Sequence, residues 1–311
     1  ATVATLEACG RAVTDLNLKV KLAILETGLG GRLDATTAAN AEIVAITQIA
    51  LDHQEYLGET IEEIASEKAA VIRPGVTAVL AHQEKKVERV LEGRCREAGV
   101  DPVWATTNIR ITRDPKVAPI FTANFTTEKD NYPSIEFFHM VGEHQVKNAS
   151  VAIAVAEQLR DHEFEISNFQ ICIGLERAQH PGRLEGRGDF LFDGAHNSAG
   201  AQALADYLAR YVEREITMIF GAMQGKDVAA MAKILFPMAE KVVLTSPENS
   251  RAMAPAGIAE IIGKDLAGRT VGVSNAKEAV TKARQLSSPG GLILVTGSLY
   301  LVGEVKKLLN N

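Results

Sequence analysis

Apolar runs short enough to be strands alternate with amphipathic stretches through the first hundred residues. The runs are KLAILE (residues 21–26), IVAITQI (43–49) and VTAVLA (76–81), and a helical pattern over 61–72 ends before Pro74 and Gly75. This alternation predicts parallel strands joined by helical crossovers. In such a sheet the runs are buried strands whose carboxyl ends lie at one edge.

Between residues 101 and 140 the pattern changes to short strand-like pieces separated by Pro, Asn and Asp. These pieces are PVWAT, IRITR and IEFFHM, and they predict a small antiparallel excursion. Helical patterns follow over 144–159 and 167–177. The stretch AQHPGR, residues 178–183, is typical of a linker.

After the linker the strand and helix alternation returns. The runs FLF, ITMIF, VVLTS and LILVTG are each followed by a helical stretch, and TVGVS adds a further strand between the last two. The pattern predicts a second α/β domain with a mostly parallel sheet. We therefore place two domains at residues 1–179 and 182–311.

Composition narrows the class of protein. The 311 residues carry a net charge of -6 without a run of Lys and Arg, which argues against nucleic acid as a partner. No apolar run approaches the roughly 20 residues of a membrane span, so we expect no membrane partner. Three scattered cysteines indicate neither a disulfide framework nor a thiolate zinc site, and a cytoplasmic location fits them best.

The stretch ETGLGGRLDATT, residues 26–37, concentrates candidate chemistry after the first apolar run. Its glycines lack the third glycine of a dinucleotide-binding turn, so that reading is weak, and a tight loop with positive φ is an equal alternative. Neither reading explains Glu26. A carboxylate at the end of a buried parallel strand is costly unless it is paired or binds a cation, so Glu26 is a metal-ligand candidate.

His53 and Lys68 extend this candidate site. His53 follows the second apolar run and would share a sheet edge with Glu26. Thr60 and Glu63 have the spacing of a capping box, and in the helix that starts there Lys68 falls within the apolar stripe. A snorkelling lysine is the ordinary alternative. A desolvated Lys68 could instead add carbon dioxide and, as a carbamate, join Glu26 and His53 as a magnesium ligand.

Polar residues also follow the strands of the second half, where parallel sheets bind ligands. A phosphate-contacting role and a solvated linker position are both open for Arg183, as are a ligand contact and a helix cap for Ser298. The strand-end residues are Asp193, His196, Asn197, Lys226, Asp227, Arg251 and Ser298.

Several long motifs occur in one order along almost the whole chain. They are ETGLGGRLDATT, ITQIALDHQEYLG, EKAAVIRPG, GEHQVKNAS, PGRLE, DGAHN, SRAMAP and TGSLYLVGE. This series resembles the folylpolyglutamate synthases and bifunctional dihydrofolate synthases of the Mur ligase superfamily. The resemblance implies an α/β fold: a truncated central ATPase domain with a mostly parallel sheet, then a Rossmann-like C-terminal domain.

The resemblance also implies an activity and site roles. The activity is ATP- and Mg2+-dependent addition of L-glutamate to dihydropteroate, to folylpolyglutamate, or to both, through an acyl phosphate. We expect a monomer. The implied roles are metal binding by Glu26, His53 and carbamylated Lys68; substrate contact by Leu33, Asp34, Ala35 and Ser298; nucleotide contact by Asn148, Arg183 and Asp193; and catalysis by Lys68, Arg183 and His196.

One expected motif is missing. No GxxxxGK[ST] phosphate loop occurs in the 311 residues, and GAMQGKD places Asp227 where a hydroxyl is needed. With the absent initiator Met, this predicts an N-terminally truncated chain with little or no ligase activity. Two other classes remain open: a nicotinamide-dependent oxidoreductase that uses GLGG as its turn, and a catalytically inert folate- or glutamate-binding module.

Overall fold

The computed structural model describes residues 22–112 and 121–310, which pack as two compact units. The first unit comprises residues 22–50, 54–107 and 150–166. The second comprises residues 51–53, 108–112, 121–149 and 167–310. The domain boundary near residues 179–182 stays a prediction.

The first unit contains a parallel sheet with the strand order β1-β2-β3. Its apolar core lies between this sheet and two helices, α2 and α3, which pack on each other. The predicted capping box is confirmed, since Thr60 accepts from the Glu63 amide and Glu63 from the Thr60 amide. The elements are β1 (Ile43–Ile46), α1 (Gln54–Leu57), α2 (Ile61–Ala69), β2 (Thr77–Leu80), α3 (Lys85–Ala98), β3 (Pro102–Trp104) and a 3-10 helix (Ala35–Ala39).

The prediction of a buried strand at KLAILE is wrong for its described residues. Residues 22–27 form no strand, and the Leu22 and Ile24 side chains are 45% and 89% exposed. An extended segment is a strand only when its backbone groups pair with a neighbour. Among the described residues β1 pairs only with β2, so residues 22–27 have no neighbouring strand to pair with. They also do not form part of a sheet that could pack against the core. Glu26 consequently does not follow a buried strand.

The antiparallel prediction is partly wrong. Pro102–Trp104 pairs parallel with β2, because the crossover through α3 returns the chain to the edge of the first sheet. The antiparallel sheet, with the order β4-β5-β6, starts only at Ile109 and packs in the second unit. Its strands are β4 (Ile109–Thr112), β5 (Phe121–Thr126) and β6 (Asn131–Phe137).

Two helices follow and confirm the helical patterns. They are α4 (Glu143–Asp161) and α5 (Asn168–Arg177). The second is closed at its start by a capping box between Ser167 and Gln170.

The second unit is built on a six-stranded sheet with the order β11-β10-β9-β12-β8-β7, which confirms the α/β fold class. All its strands are parallel except β7, which pairs antiparallel with β8. The elements are β7 (Glu185–Arg187), β8 (Phe190–Phe192), α6 (Ser198–Tyr211), β9 (Ile216–Phe220), α7 (Val228–Leu235), a 3-10 helix (Phe236–Met238), β10 (Lys241–Leu244), α8 (Pro255–Ala267), β11 (Thr270–Gly272), α9 (Ala276–Leu286), β12 (Leu292–Thr296) and α10 (Leu299–Leu308).

The strand order positions the polar loops. The chain moves outward from β9 through β10 to β11 and then returns, so that β12 lies between β8 and β9. Right-handed crossovers place helices on opposite faces when the direction of winding reverses. The carboxyl ends of β8, β12 and β9 therefore lie side by side at a reversal point, where α/β sheets bind ligands.

Within residues 22–112 and 121–310, no helix is long and apolar enough to cross a lipid bilayer.

Candidate active site

The glycine-rich loop of the first unit is organised by Asp34. One carboxylate oxygen accepts from the Gly28 and Leu29 amides at 2.9 and 3.2 Å, and the other accepts from the Thr36 amide and hydroxyl at 2.9 and 2.6 Å. The Thr36 bonds and then the loop amides lower the pKa of Asp34 to about 2. The carboxylate therefore holds its own loop in shape, and its predicted substrate contact stays a prediction.

The same loop packs closely on the end of α2. Gly30 has φ of 68°, and a Cβ on Gly31 would lie 2.8 Å from the Glu67 carbonyl oxygen and 2.9 Å from that of Lys68. Glycine is needed at both positions, for conformation and for close approach respectively. The tight-loop alternative thus accounts for these two glycines.

The other predicted site residues of this unit differ in how far their side chains are exposed to solvent. Leu33 is 94% exposed, and Glu26 and Ala35 are also exposed. Lys68 is half-buried, as expected for its place beside the buried Ile64 and Ala69. Among the residues that the structure describes, no carboxylate lies within ion-pair distance of its ammonium group.

Asp193 is the buried acid of the second unit. It follows β8, and its two oxygens accept from the Leu184 amide at 3.0 Å and the Ala195 amide at 2.9 Å. Burial raises the pKa of Asp193, and these bonds and the charge of Arg183 offset the effect only in part. The protonation of a buried carboxyl group held in this way is sensitive to a change in nearby charge.

His196 and Asn197 follow in the same loop and meet a residue that the sequence did not single out as a site residue. Asn197 donates to Asp52 Oδ2 at 2.9 Å, and His196 Nε2 lies 3.5 Å from the same oxygen. His196 Nδ1 donates to the Gly194 carbonyl at 2.8 Å. Both ring nitrogens of His196 therefore face acceptors, which does not favour proton abstraction by His196.

Lys226 completes this cluster from the loop after β9. Its ammonium group donates to Asp52 Oδ1 at 2.6 Å and lies 3.4 Å from His53 Nε2. Burial alone would raise the pKa of Asp52, but hydrogen bonds from His196, Lys226 and Asn197 hold it well below its usual range. We call Asp52, His53, His196, Asn197 and Lys226 the Asp52 cluster.

The Asp52 cluster does not fit a divalent cation as it is arranged here. A cation bound at His53 Nε2 would meet the Lys226 ammonium group, which already lies beside that atom. Within the described ranges, no three His, Cys, Asp or Glu side chains are grouped as metal ligands. Glu26 and Lys68 lie in the first unit and His53 in the second, and their joint metal binding stays a prediction.

Arg183 lies in a positively charged region. A Cβ on Gly194 would be 3.4 Å from its guanidinium, so Arg183 borders the loop after β8. Burial lowers the pKa of His144, and the charges of Arg183, His180 and Lys147 lower it further. Asn148 is exposed on α4 and donates to Gln145 Oε1 at 3.1 Å. Basic groups placed together in this way can bind an anionic ligand, and Asp193 offsets part of their charge.

Ser298 caps α10, and its hydroxyl accepts from the Tyr300 amide at 3.1 Å. Asp193 and Ser298 are brought to one edge because β8 and β12 are adjacent and the Asp193 amide donates to Val295 at 3.0 Å. Nearby, the hydroxyls of Thr245 and Thr296 are buried without a hydrogen-bond partner among the described residues. The edge thus combines an acid, a cation and a helix start.

Asp52 and Lys226 show what sequence reasoning missed. Asp52 is the sequence neighbour of the ligand candidate His53, and Lys226 is one of the polar residues predicted to follow the strands of the second half. Nothing in their spacing, 174 residues apart, indicates that they form an ion pair. In the segment GAMQGKD, which resembles a phosphate loop, Lys226 instead pairs with Asp52 and Asp227 caps α7.

Comparison with known protein families assigns both halves of the chain to Mur ligase domains. The profile of the Mur ligase middle domain matches residues 9–156, and that of the Mur ligase glutamate ligase domain matches residues 177–299. The chain is 32% identical over 302 residues to the dihydrofolate synthase/folylpolyglutamate synthase of Bacillus subtilis, covering 94% of this chain and 68% of that protein. It belongs to the folylpolyglutamate synthase and dihydrofolate synthase family.

Another relative shows how lengths compare. A probable bifunctional folylpolyglutamate synthase/dihydropteroate synthase of Halobacterium salinarum is 34% identical over 92% of this chain, which spans 35% of that protein. These relatives are ligases or synthases, so the nicotinamide-dependent oxidoreductase has no support among them.

Solved structures agree. Mycobacterium tuberculosis folylpolyglutamate synthase complexed with ADP and AMPPCP superposes with a TM-score of 0.85 at 29% identity, over 96% of this chain and 70% of that one. The bifunctional enzyme of Yersinia pestis complexed with AMPPNP and Mn ion gives 0.79 at 26% identity, over 95% and 68%.

Proposed function

We propose that the protein is an ATP-dependent amide ligase that adds L-glutamate to dihydropteroate, to folylpolyglutamate, or to both. The observation that carries this proposal is the 32% identity to the Bacillus subtilis enzyme over almost the whole chain. The substrate carboxylate attacks the γ-phosphorus of ATP and releases ADP. The glutamate amine then attacks the acyl carbon of the acyl phosphate, phosphate leaves, and the amine proton passes to solvent.

Different residues of the second unit have different roles in this reaction. Arg183 contacts phosphate oxygens as negative charge develops on them, and Asp193 and Asn148 orient the nucleotide. The α10 amides and the Ser298 hydroxyl receive a glutamate carboxylate, for which a helix start is suited. His196 orients the glutamate rather than taking its proton, since both of its ring nitrogens have acceptors.

A divalent cation, Mg2+ in our proposal, would supply charge neutralisation at the phosphoryl group. The complex of the Yersinia pestis relative with AMPPNP and Mn ion supports a divalent metal in this family. We retain Glu26, His53 and carbamylated Lys68 as the proposed ligands. His53 Nε2 lies beside the Lys226 ammonium group in this structure, so His53 could hold the cation only after Lys226 moves away from it. The cytoplasmic location and the monomeric state stay predictions.

The test is glutamate-dependent ADP release by the full-length protein, with dihydropteroate and folylpolyglutamate offered separately. We expect turnover with at least one of them, and Ser298→Ala should raise KM for glutamate about tenfold, as loss of one hydrogen bond to a charged group predicts. Ser298→Thr should recover part of the loss, and Ser66→Ala, at an exposed position of α2, serves as the control. Absence of glutamate-dependent release with both acceptors would refute the ligase.

A further inference from the structure

The loops after β8 and β9 are separated by a third strand at the edge of the sheet. Strand β12 lies between β8 and β9, and neighbouring strands are about 4.8 Å apart, so β8 and β9 are separated by about 10 Å. In the described part of the chain, no side-chain hydrogen bond joins residues 193–197 directly to residues 221–227, and both loops instead bond to a third group.

Asp52 is that group. Oδ2 accepts from Asn197 in the loop after β8, and Oδ1 accepts from Lys226 in the loop after β9. The Asp52 and Lys226 side chains are only 20% and 14% exposed, so the pair is largely shielded from water and salt. The His53 amide also donates to Oδ1 at 2.8 Å, which fixes the carboxylate relative to its own backbone.

Each contact of Asp52 continues into a helix. Asn197 also accepts from the Gly200 amide at 2.8 Å and so caps α6. Lys226 precedes Asp227, whose carboxylate accepts from the Ala230 amide at 2.9 Å and caps α7. Asp52 is therefore connected to the starts of two helices, one after β8 and one after β9.

We infer that Asp52 is a positioning residue that ties the loop after β8 to the loop after β9 across β12, and so sets the spacing of polar groups around Ser298. The assignment of glutamate to that space rests on the proposed function. In this role Asp52 does not touch the reacting atoms. It fixes His196, Asn197 and Lys226 in one arrangement before the amino acid arrives.

The structural test is hydrogen exchange of the full-length protein without ligands. In Asp52→Ala the amides of residues 193–200 and 221–228 should exchange about tenfold faster, the equivalent of one charge-assisted hydrogen bond. The matched control is Asp189→Ala, which removes an exposed carboxylate paired with Arg214 at 3.0 Å just before β8, at the opposite end of that strand. If either loop is unchanged in Asp52→Ala, or if the control accelerates both loops equally, the inference is wrong.

The kinetic test separates positioning from general structural support. Asp52→Ala should raise KM for L-glutamate about tenfold and leave KM for ATP within about twofold, and Asp52→Glu should recover part of the loss because it keeps the charge. Equal changes for both substrates would overturn the inference. If Asp52→Ala does not fold, Lys226→Met against Lys226→Arg gives the same comparison. If the unaltered protein shows no turnover, the proposed function fails, while the exchange measurement still decides the role of Asp52.

Discussion

Asp34 accepts a hydrogen bond from the Gly28 amide at 2.9 Å across six residues of glycine-rich chain. The same carboxylate caps the 3-10 helix that begins at Ala35. One charged group thereby closes the loop on one side and starts a helix on the other. A sequence motif that resembles a ligand-binding turn is thus also a self-supporting loop.

Replacing Asp34 should destabilise the first unit. Asp34→Ala removes a cap and the bonds to two loop amides, so we expect a loss of about 1–2 kcal/mol in the free energy of unfolding. Urea titration at neutral pH measures this loss. Asp101→Ala, which removes an exposed acid immediately before β3, should change stability by less than about 0.5 kcal/mol.

The same carboxylate should contribute a pH dependence. Its folded pKa of about 2 is below the ordinary value of about 3.9, so the folded state binds its proton more weakly than the unfolded state. The stability gained from Asp34 is present above about pH 4 and is lost as pH falls toward about 2. The difference in the free energy of unfolding between wild type and Asp34→Asn should become smaller as pH falls from about 4 to about 2. A difference that stays constant over this range would contradict the lowered pKa of Asp34.

Gly31 should tolerate no side chain. A Cβ there would lie 2.8 and 2.9 Å from two backbone carbonyl oxygens, which cannot move as a flexible side chain can. Gly31→Ala should therefore cost about 1–3 kcal/mol by thermal or urea unfolding.

Gly93→Ala is the matched control, because a Cβ at Gly93 in α3 would meet nothing within 4 Å. In a helix interior this change should stabilise by up to about 1 kcal/mol. Equal effects of the two substitutions would contradict the close packing of the loop on α2.

Asp193 should have the opposite pH dependence to Asp34. Burial raises its pKa in the folded state, so the folded protein binds the Asp193 proton more tightly than the unfolded chain. Stability from this group falls as pH rises from about 4 through the raised pKa. Relative to Asp193→Asn, wild type should lose stability as pH rises through this range, and a gain would refute the burial effect.

Lys68 offers a direct test of the carbamate. Lys68 is half-buried, and a lysine amine in its neutral form can add carbon dioxide. With carbon-13-labelled bicarbonate, we expect a carbamate carbonyl resonance that is absent from Lys68→Ala and present in Lys86→Ala, where an exposed lysine of α3 is removed. A signal that survives in Lys68→Ala would exclude Lys68 as its source.

Much of the fold could be predicted from the chain because local patterns report local structure. The strands at Ile43, Thr77, Ile216 and Leu292 and the capping box at Thr60 follow from short-range periodicity and hydrogen bonding. The strand prediction at KLAILE is wrong because an apolar composition does not supply a neighbouring strand to pair with. Pro102–Trp104 failed because strand direction depends on the crossover that precedes it.

Patterns along the chain are sufficient to predict the alternation of strands and helices, the glycine requirement near Asp34 and the polar character of the strand ends in the second half. They do not predict that β12 lies between β8 and β9, or that Asp52 contacts Asn197 and Lys226, which the folded structure shows. The reason is physical: periodicity is set by neighbours a few residues apart, whereas strand order and the pairing of distant charges are set by how whole elements pack.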